Sequence, residues 1–172
     1  KEIKSDLLKK ILERLRDWKT GDPLDPQNHL GALIDSEHCK KVASYLKEGA
    51  VVGGQIEGCF VTPTIYETTV DNKKAKEEIF GPILSVLEVQ TNEEAISLAN
   101  NTEYGLSASI FSANARNALR AARELKAGTV TVNSYGEGDI ATPFGGYKQS
   151  GFGGRDNGIH AHDQYCEIKT IW

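Results

Sequence analysis

The feature that most constrains the fold is an alternation of strand-like and helix-like stretches in the second half of the chain. Three apolar stretches are expected to form strands: PILSVLEV (82–89), LSASIFS (106–112) and TVTVN (129–133). Between them, Asn92 should cap a helix through residue 100, and Gly128 should close a second helix that starts near residue 115. This order is typical of crossovers in a largely parallel sheet. The sequence therefore predicts an α/β fold with a largely parallel twisted sheet and flanking helices.

The first half of the chain predicts two helices followed by irregular strands. Ser5 is the expected cap of an amphipathic helix that ends before Gly21, and Ser36 should open a second helix that ends at Gly49. The stretches AVVGG and CFVTPTIYETTV then indicate strands, and Pro63 makes the second one an edge or irregular strand. At the other end of the chain, IHAHDQY is expected to form a short helix and CEIKTIW a final strand.

Composition excludes several classes of partner. The 172 residues carry a formal charge of -4, and the lysines form no basic patch, so neither nucleic acid nor an anionic membrane surface is an expected partner. No apolar run approaches the length needed to span a bilayer. The histidines show no metal-binding or triad spacing.

The cysteines and the chain start suggest a cytoplasmic fragment. Cys39, Cys59 and Cys166 are odd in number and have no paired metal-ligand spacing, which favours reduced thiols in a cytoplasm over disulfides. The chain contains no methionine and begins at Lys1 directly before a helix. We therefore expect a piece of a longer protein.

A glycine-rich loop, NSYGEGDIATPFGGYKQSGFGGRDNG (133–158), is the main candidate for function. Its GEGDIA stretch matches the glycine pattern of dinucleotide-binding loops, which act by opening a helix whose amides hold a pyrophosphate. Here Thr142 and Pro143 lead into FGG, which cannot continue as a helix. Glu137 and Asp139 would also set two carboxylates against the phosphates. The pattern therefore argues against phosphate binding by this loop.

The loop is better suited to lining a pocket for a small molecule. It leaves the carboxyl end of TVTVN, and ligands of α/β sheets bind at that edge. Tyr135 and Phe144 could supply apolar walls, while Glu137 and Asp139, flanking Gly138, could attract an amino-bearing substrate. The alternative is that both acids are solvated loop residues.

Four motifs together resemble the aldehyde dehydrogenase superfamily. They occur in the family's order and approximate spacing: KEEIFGPILSV (76–86), NNTEYGLSASIFS (100–112), AGTVTVNSY (127–135) and PFGGYKQSG (143–151). The resemblance covers the whole chain and is to the carboxyl-terminal third of such enzymes. The loop and the ending HAHDQYCEIKTIW look most like γ-glutamyl-γ-aminobutyraldehyde and related aminoaldehyde dehydrogenases.

The resemblance implies a cofactor site around Glu78. Glu78 is similar to the family's glutamate that binds the ribose hydroxyls of NAD or NADP, and Phe80 would pack beside the nicotinamide. A carboxylate is a suitable acceptor for two vicinal hydroxyls. The alternative for Glu78, taken from the residues alone, is a charge at a helix N-terminus favoured by the helix dipole.

The resemblance also implies a substrate site and two accessory sites. Phe144 matches an aromatic of the family's substrate tunnel, and Tyr135 to Asp139 match its variable anchor loop. Backbone carbonyls at Lys148 and Gly151 match a monovalent cation site of some members. The Lys148 side chain is expected to be a charge at the surface or one that supports the site from behind its lining, and not a catalyst. Asp156 reaches the position of a charge-relay acid only after a one-residue shift, because straight counting gives Arg155.

The family's nucleophilic cysteine lies in a GQxC context that this sequence lacks. Its base and cofactor domain are expected upstream as well. The expected organisation is a partial catalytic domain (1–163) and a C-terminal oligomerisation strand (164–172). We expect a fragment of an NAD(P)-dependent dehydrogenase of small-molecule aldehydes, inactive alone, that assembles as a homo-dimer or homo-tetramer. The alternative is a non-catalytic, self-associating module, since an apolar terminal strand is an open sheet edge.

Overall fold

The computed structural model describes residues 3–46, 49–136 and 138–172. The chain divides into two compact units, one up to Glu88 and one from Val89 onward, and each is described by itself.

The described residues of the first unit form three helices and four short strands. In chain order they are α1 (Lys4–Leu15), α2 (Ser36–Ala43), β1 (Ile56–Glu57), β2 (Phe60–Val61), β3 (Thr64–Glu67), α3 (Lys73–Lys76) and β4 (Ile83–Val86). The strands β1 and β2 form an antiparallel hairpin, and β3 pairs in parallel with β4 in the register Thr64↔Ile83 to Glu67↔Val86. The short helix α3 lies in the connection between the two parallel strands.

The core of the first unit forms where α2 packs on the strands. Val42, Tyr45, Val61 and Ile79 are all buried and form one cluster. Val42 lies in α2, and Tyr45 lies in the turn directly after it, where its amide donates to the Val42 carbonyl at 3.0 Å. The two side chains together form one apolar face that packs into the cluster. Burial of this apolar face provides the main stabilisation of α2, because eight residues are too few for an independent helix.

The described part of the second unit forms one parallel strand–helix–strand motif with a preceding helix. Its elements are α4 (Asn92–Asn100), β5 (Ser107–Ile110), α5 (Ala115–Glu124), β6 (Thr129–Val132) and two 3₁₀ helices, Lys148–Ser150 and Ala161–Tyr165. The strands β5 and β6 are parallel, in the register Ser107↔Thr129 to Ile110↔Val132. Ala118 of α5 is buried, and α5 contacts both strands. The predicted strand, helix and strand of this region are confirmed, as is the α/β fold class.

Several predicted boundaries and elements are wrong. The helix α4 is capped by Thr91, one residue before the predicted cap Asn92, and Ser5 lies inside α1. The helix α2 begins at Ser36 as predicted, with Asp35 as its cap, but it ends at Ala43 and not at Gly49. The AVVGG stretch forms no strand; it makes only an isolated bridge, Val52↔Ile65. Pro63 divides the next predicted strand into β2 and β3, as its missing N–H group leads one to expect.

The predicted C-terminal strand has no sheet partner among the residues that the structure describes. Residues 166–172 follow the second 3₁₀ helix without secondary structure, and Ile168 and Trp172 are fully exposed. A strand at this position therefore stays a prediction that requires a second chain.

Candidate functional site

The first group of candidate residues lies on the segment Glu77–Gly81, between α3 and β4; we refer to it as the 77–81 segment. Ile79 is 7% exposed and belongs to the core cluster, whereas Phe80 is 75% exposed and Glu78 is also exposed. One buried side chain thus fixes the segment, and its two neighbours project outward. Glu78 and Phe80, the two residues for which the family resemblance implies cofactor binding, are therefore both accessible to a ligand.

The alternative interpretation of Glu78 as an N-terminal helix charge is wrong. The helix α3 begins at Lys73 and is capped by Asn72, whose side chain accepts the amide of Lys74 at 3.0 Å. Glu78 lies two residues after the helix ends at Lys76. At that end the dipole favours cations, so the dipole gives no reason for a carboxylate there.

Phe80 adopts a left-handed backbone conformation with φ of 60°. A bulky non-glycine residue rarely adopts this conformation unless neighbouring contacts hold it. One such contact is a hydrogen bond of 2.7 Å between His38 Nε2 and the Phe80 carbonyl oxygen. The two rings also meet edge to face, with their centroids 6.1 Å apart.

The second group of candidates follows β6. Asn133 leaves the strand with a φ of 53°. Its side-chain amide makes two hydrogen bonds with the Ser112 backbone: Oδ1 accepts from the Ser112 amide at 2.8 Å, and Nδ2 donates to the Ser112 carbonyl at 3.0 Å. The exits of β5 and β6 are thereby joined. The glycine loop therefore starts from a fixed point at the carboxyl edge of the parallel pair, where the sequence predicted a ligand.

The tip of the loop is exposed and makes its own turn. Tyr135 is 90% exposed, and Gly138 has a φ of 95°, a conformation open to glycine. Asp139 Oδ1 accepts the Ala141 amide at 2.9 Å, so this carboxylate stabilises the turn as well as carrying charge. Glu137, the other acid of the predicted pair, lies outside the described residues.

The end of the loop brings two candidates together. Phe144 and Asp156 form an antiparallel bridge in which each amide donates to the other's carbonyl at 2.7 Å. Phe144 is half-buried, while Asp156 is exposed and accepts Gln164 Nε2 on Oδ1 at 2.8 Å. The backbone thus fixes the predicted tunnel aromatic next to the predicted charge-relay acid.

Lys148 has a structural role. Its Nζ donates to the carbonyls of Asn100 and Thr102, both at 2.8 Å. Asn100 is the last residue of α4, where unpaired carbonyls favour a cation. The Lys148 carbonyl accepts the Gly151 amide at 3.4 Å, so the two predicted cation-binding positions lie at either end of one 3₁₀ turn.

The second unit also contains a hollow of about 320 Å³ between α4, β5 and α5. Phe111, Ser112 and Leu125 line it, and neither Tyr135 nor Phe144 does.

The expectation of reduced thiols is wrong for two of the three cysteines. Cys39 and Cys59 form a disulfide, while Cys166 is free and exposed. Sequence spacing did not reveal the pair because Cys39 lies on α2 and Cys59 in the β1–β2 turn, which meet only in the folded chain. Within residues 3–46, 49–136 and 138–172, no group of acids, histidines and cysteines could hold a metal ion. No described helix combines the length and apolarity of a membrane span.

The contact between His38 and Phe80 could not be predicted from the sequence. A lone histidine in a helix gives no sequence signal of a partner 42 residues away. The sequence held one weak indication of its role. His38 lies four residues before the apolar Val42, so both side chains lie on the same face of α2.

Comparison with known proteins identifies the family. The profile described as "Aldehyde dehydrogenase family" matches residues 1–171. This chain belongs to the aldehyde dehydrogenase family. The family resemblance expected from the four motifs is therefore confirmed.

Individual family members agree with this assignment. Aminoacetaldehyde dehydrogenase from Pseudomonas aeruginosa is 51% identical, over 99% of this chain and 36% of that protein. Indole-3-acetaldehyde dehydrogenase from P. syringae, solved as a mutant with NAD⁺ and IAA, superposes with a TM-score of 0.93 at 46% identity, over 100% of this chain and 37% of that one. The γ-glutamyl-γ-aminobutyraldehyde dehydrogenase from Burkholderia cenocepacia gives 0.92 at 42%, over 98% and 36%. The chain thus spans little more than a third of the aldehyde dehydrogenases it matches.

Proposed function

We propose that the chain is the C-terminal part of the catalytic domain of an NAD(P)-dependent aldehyde dehydrogenase. The protein would oxidise an aldehyde, and specifically an aminoaldehyde, to a carboxylic acid. The observation that carries the proposal is the family match over nearly the whole chain. It is supported by relatives named for NAD and NADP use.

The 77–81 segment suits the cofactor. Glu78 offers an exposed carboxylate that can accept hydrogen bonds from two ribose hydroxyls, and Phe80 offers an exposed ring against which a nicotinamide can pack. Ile79 holds both in place from the core. When bound, NAD(P) supplies the acceptor for the hydride of the aldehyde; the chain's own residues bind and orient it.

We place the nucleophilic cysteine outside this chain. Cys39 and Cys59 are joined in a disulfide, so neither offers a thiolate. Cys166 is exposed in the tail after the last 3₁₀ helix. The 172-residue chain by itself should therefore produce no NADH from an aldehyde, and turnover by the pure chain would contradict this placement.

Preference for an aminoaldehyde rests on the acidic loop and on the relatives named above. Asp139 is exposed at the loop tip and could attract a protonated amine, with Glu137 as its predicted companion. The test uses the full-length protein. NADH formation is followed for an aminoaldehyde and a neutral aldehyde of equal length, in the wild type, Asp139→Asn and Glu57→Gln.

The Asp139→Asn substitution removes the charge but keeps an oxygen that can accept the Ala141 amide, so the turn is preserved. We expect kcat/KM for the aminoaldehyde to fall about 5-fold, the equivalent of roughly 1 kcal/mol for one exposed charge, with no change for the neutral aldehyde. Glu57→Gln, which removes an exposed charge in β1, should change neither. Equal losses for both aldehydes, or a preference for the neutral one, would remove the proposed role of the acids.

Tyr135, Gly138 and Phe144 complete the proposed substrate site. Two accessory roles also remain proposals: Asp156 as a relay acid, and the carbonyls of Lys148 and Gly151 as ligands of a monovalent cation. Replacing K⁺ by a bulky organic cation in the assay should lower activity if the cation site is occupied. Asp156→Asn, which preserves an acceptor for Gln164, should lower kcat if the charge is required.

A second function, self-association, is favoured by one observation. Ile168, Ile171 and Trp172 are exposed along residues 166–172, which have no partner strand within the described chain. Such a segment can pair with a neighbouring sheet edge. Deleting residues 166–172 from the full-length protein should reduce its mass in light scattering to that of a monomer; an unchanged dimer or tetramer would exclude this role.

A further inference from the structure

One face of α2, together with the turn that follows the helix, supports the 77–81 segment. His38 and Val42 lie four residues apart on one side of α2, and Tyr45 lies in the turn directly after the helix ends at Ala43. The Tyr45 hydroxyl donates to Glu77, and Val42 packs in the core cluster with Ile79. The remaining contact of this face is the hydrogen bond from His38 to the Phe80 carbonyl.

The segment also lies close to α2 at its far end. A Cβ placed on Gly81 would come within 3.0 Å of Val42 Cγ1, so the backbone passes directly over this side chain. The helix and the turn that follows it therefore contact the segment from Glu77 to Gly81. Between these contacts, Phe80 is the residue with a left-handed φ, and its side chain is exposed rather than packed in the core. Apart from the edge-to-face contact of its ring with His38, Phe80 is therefore held through its backbone.

His38 is itself firmly placed. Its backbone amide donates to Oδ1 of the N-cap residue Asp35 at 2.8 Å, which fixes the first turn of α2. A carbonyl oxygen can only accept, so His38 Nε2 must carry the hydrogen in this contact. The neutral Nε2–H tautomer and the imidazolium can both make the bond.

We propose that His38 is a positioning residue for the cofactor-binding segment. Its hydrogen bond holds the Phe80 carbonyl and thereby keeps the left-handed turn that directs Phe80 and Glu78 outward. The inference rests on the proposed function, because only in a dehydrogenase do these two side chains meet NAD(P). His38 acts through Phe80 and need not touch the cofactor.

The test uses the full-length protein and two complementary variants. His38→Phe keeps an aromatic ring for the contact with Phe80 but lacks the donor, whereas His38→Gln keeps a donor and lacks the ring. His162→Leu, at an exposed histidine of the second 3₁₀ helix, is the matched control. If His38→Phe does not fold, His38→Leu replaces it.

Three measurements separate positioning from general stability. NAD⁺ affinity is measured by calorimetry, the KM values for NAD⁺ and aldehyde by kinetics, and amide exchange of residues 77–83 by mass spectrometry. We expect His38→Phe to weaken NAD⁺ binding and raise its KM about 5-fold, the loss typical of one hydrogen bond, with the aldehyde KM unchanged. His38→Gln should stay within about 2-fold of the wild type, and exchange of residues 77–83 should accelerate only in His38→Phe.

Wild-type NAD⁺ affinity in folded His38→Phe would overturn the inference, as would equal losses in His38→Phe and His38→Gln. Failure of the proposed function looks different: the wild-type protein itself would neither bind NAD⁺ nor oxidise aldehydes. In that event amide exchange still tests the positioning role of His38, because unchanged exchange of residues 77–83 in His38→Phe would refute it.

Discussion

Gly128 allows two backbones to approach more closely than any side chain would permit. The sequence assigned it to the end of a helix, but α5 ends at Glu124, and Gly128 directly precedes β6. A Cβ at this position would lie 1.6 Å from the Gly145 carbonyl oxygen and 2.8 Å from its carbon. The glycine is needed because strand β6 starts against the loop that carries Phe144.

The substitution Gly128→Ala forces a measurable movement. Cβ atoms essentially never come within 3.0 Å of other heavy atoms, so the Gly145 backbone must retreat by about 1.4 Å. The Cβ is fixed rigidly to the backbone of residue 128 and its partner is the backbone of Gly145, so neither can rotate away as the end of a flexible side chain would. We expect a loss of about 3 kcal/mol, the upper end of the usual range for overpacking. Because Phe144 precedes Gly145, the KM for aldehyde should also rise.

Gly31→Ala is the matched control, because its new Cβ would meet Pro23 Cβ at an ordinary contact distance of 3.5 Å. Urea unfolding of the full-length protein, followed by fluorescence, compares both variants with the wild type. The steric reasoning is refuted if Gly128→Ala unfolds within about 0.5 kcal/mol of Gly31→Ala, the scatter of neutral substitutions.

Three further predictions concern stability, each measured by urea unfolding of the full-length protein. Asp35→Ala should cost about 1 kcal/mol by removing the α2 cap, and an unchanged midpoint would contradict the capping role. Cys59→Ser should cost about 3 kcal/mol by opening the loop of 20 residues closed with Cys39, and a reducing agent should destabilise only the wild type. The pKa of Glu93 is lowered from 4.5 by its own backbone amide and then by Arg120. Its stabilising effect should therefore be present above pH 4.5 and disappear as the pH falls through the lower folded-state pKa, so the difference between Glu93→Gln and wild type should vanish in acid.

Local patterns predicted the elements of the second unit well. The alternation of apolar residues in β5 and β6 and the periodicity of α5 are properties of neighbouring residues, so they can be recognised without knowing the fold. The helix caps were less predictable. Asp35 and Ser36, or Thr91 and Asn92, are adjacent residues that can each cap a helix, and the choice depends on where the helix packs.

Contacts between distant residues could not be predicted. The disulfide between Cys39 and Cys59 depends on how α2 meets the β1–β2 turn, and the bond from His38 to Phe80 depends on the path of the chain after α3. No periodicity encodes either meeting. The resemblance to a family indicated Glu78 and Phe80 as site residues, but it carried no information on what holds them in place.

The glycine loop illustrates which part of a site a sequence determines. At its start, the loop is fixed by two hydrogen bonds between the Asn133 side chain and the Ser112 backbone. At its end, it is fixed by two backbone hydrogen bonds between Phe144 and Asp156. Between these points, residues 134–143 are exposed where described, apart from local turns. Substitutions there should leave both attachments intact. The two ends of the loop are therefore fixed by backbone and side-chain hydrogen bonds, whereas the proposed role of an exposed side chain such as Asp139 in substrate preference is tested by comparing an aminoaldehyde with a neutral aldehyde.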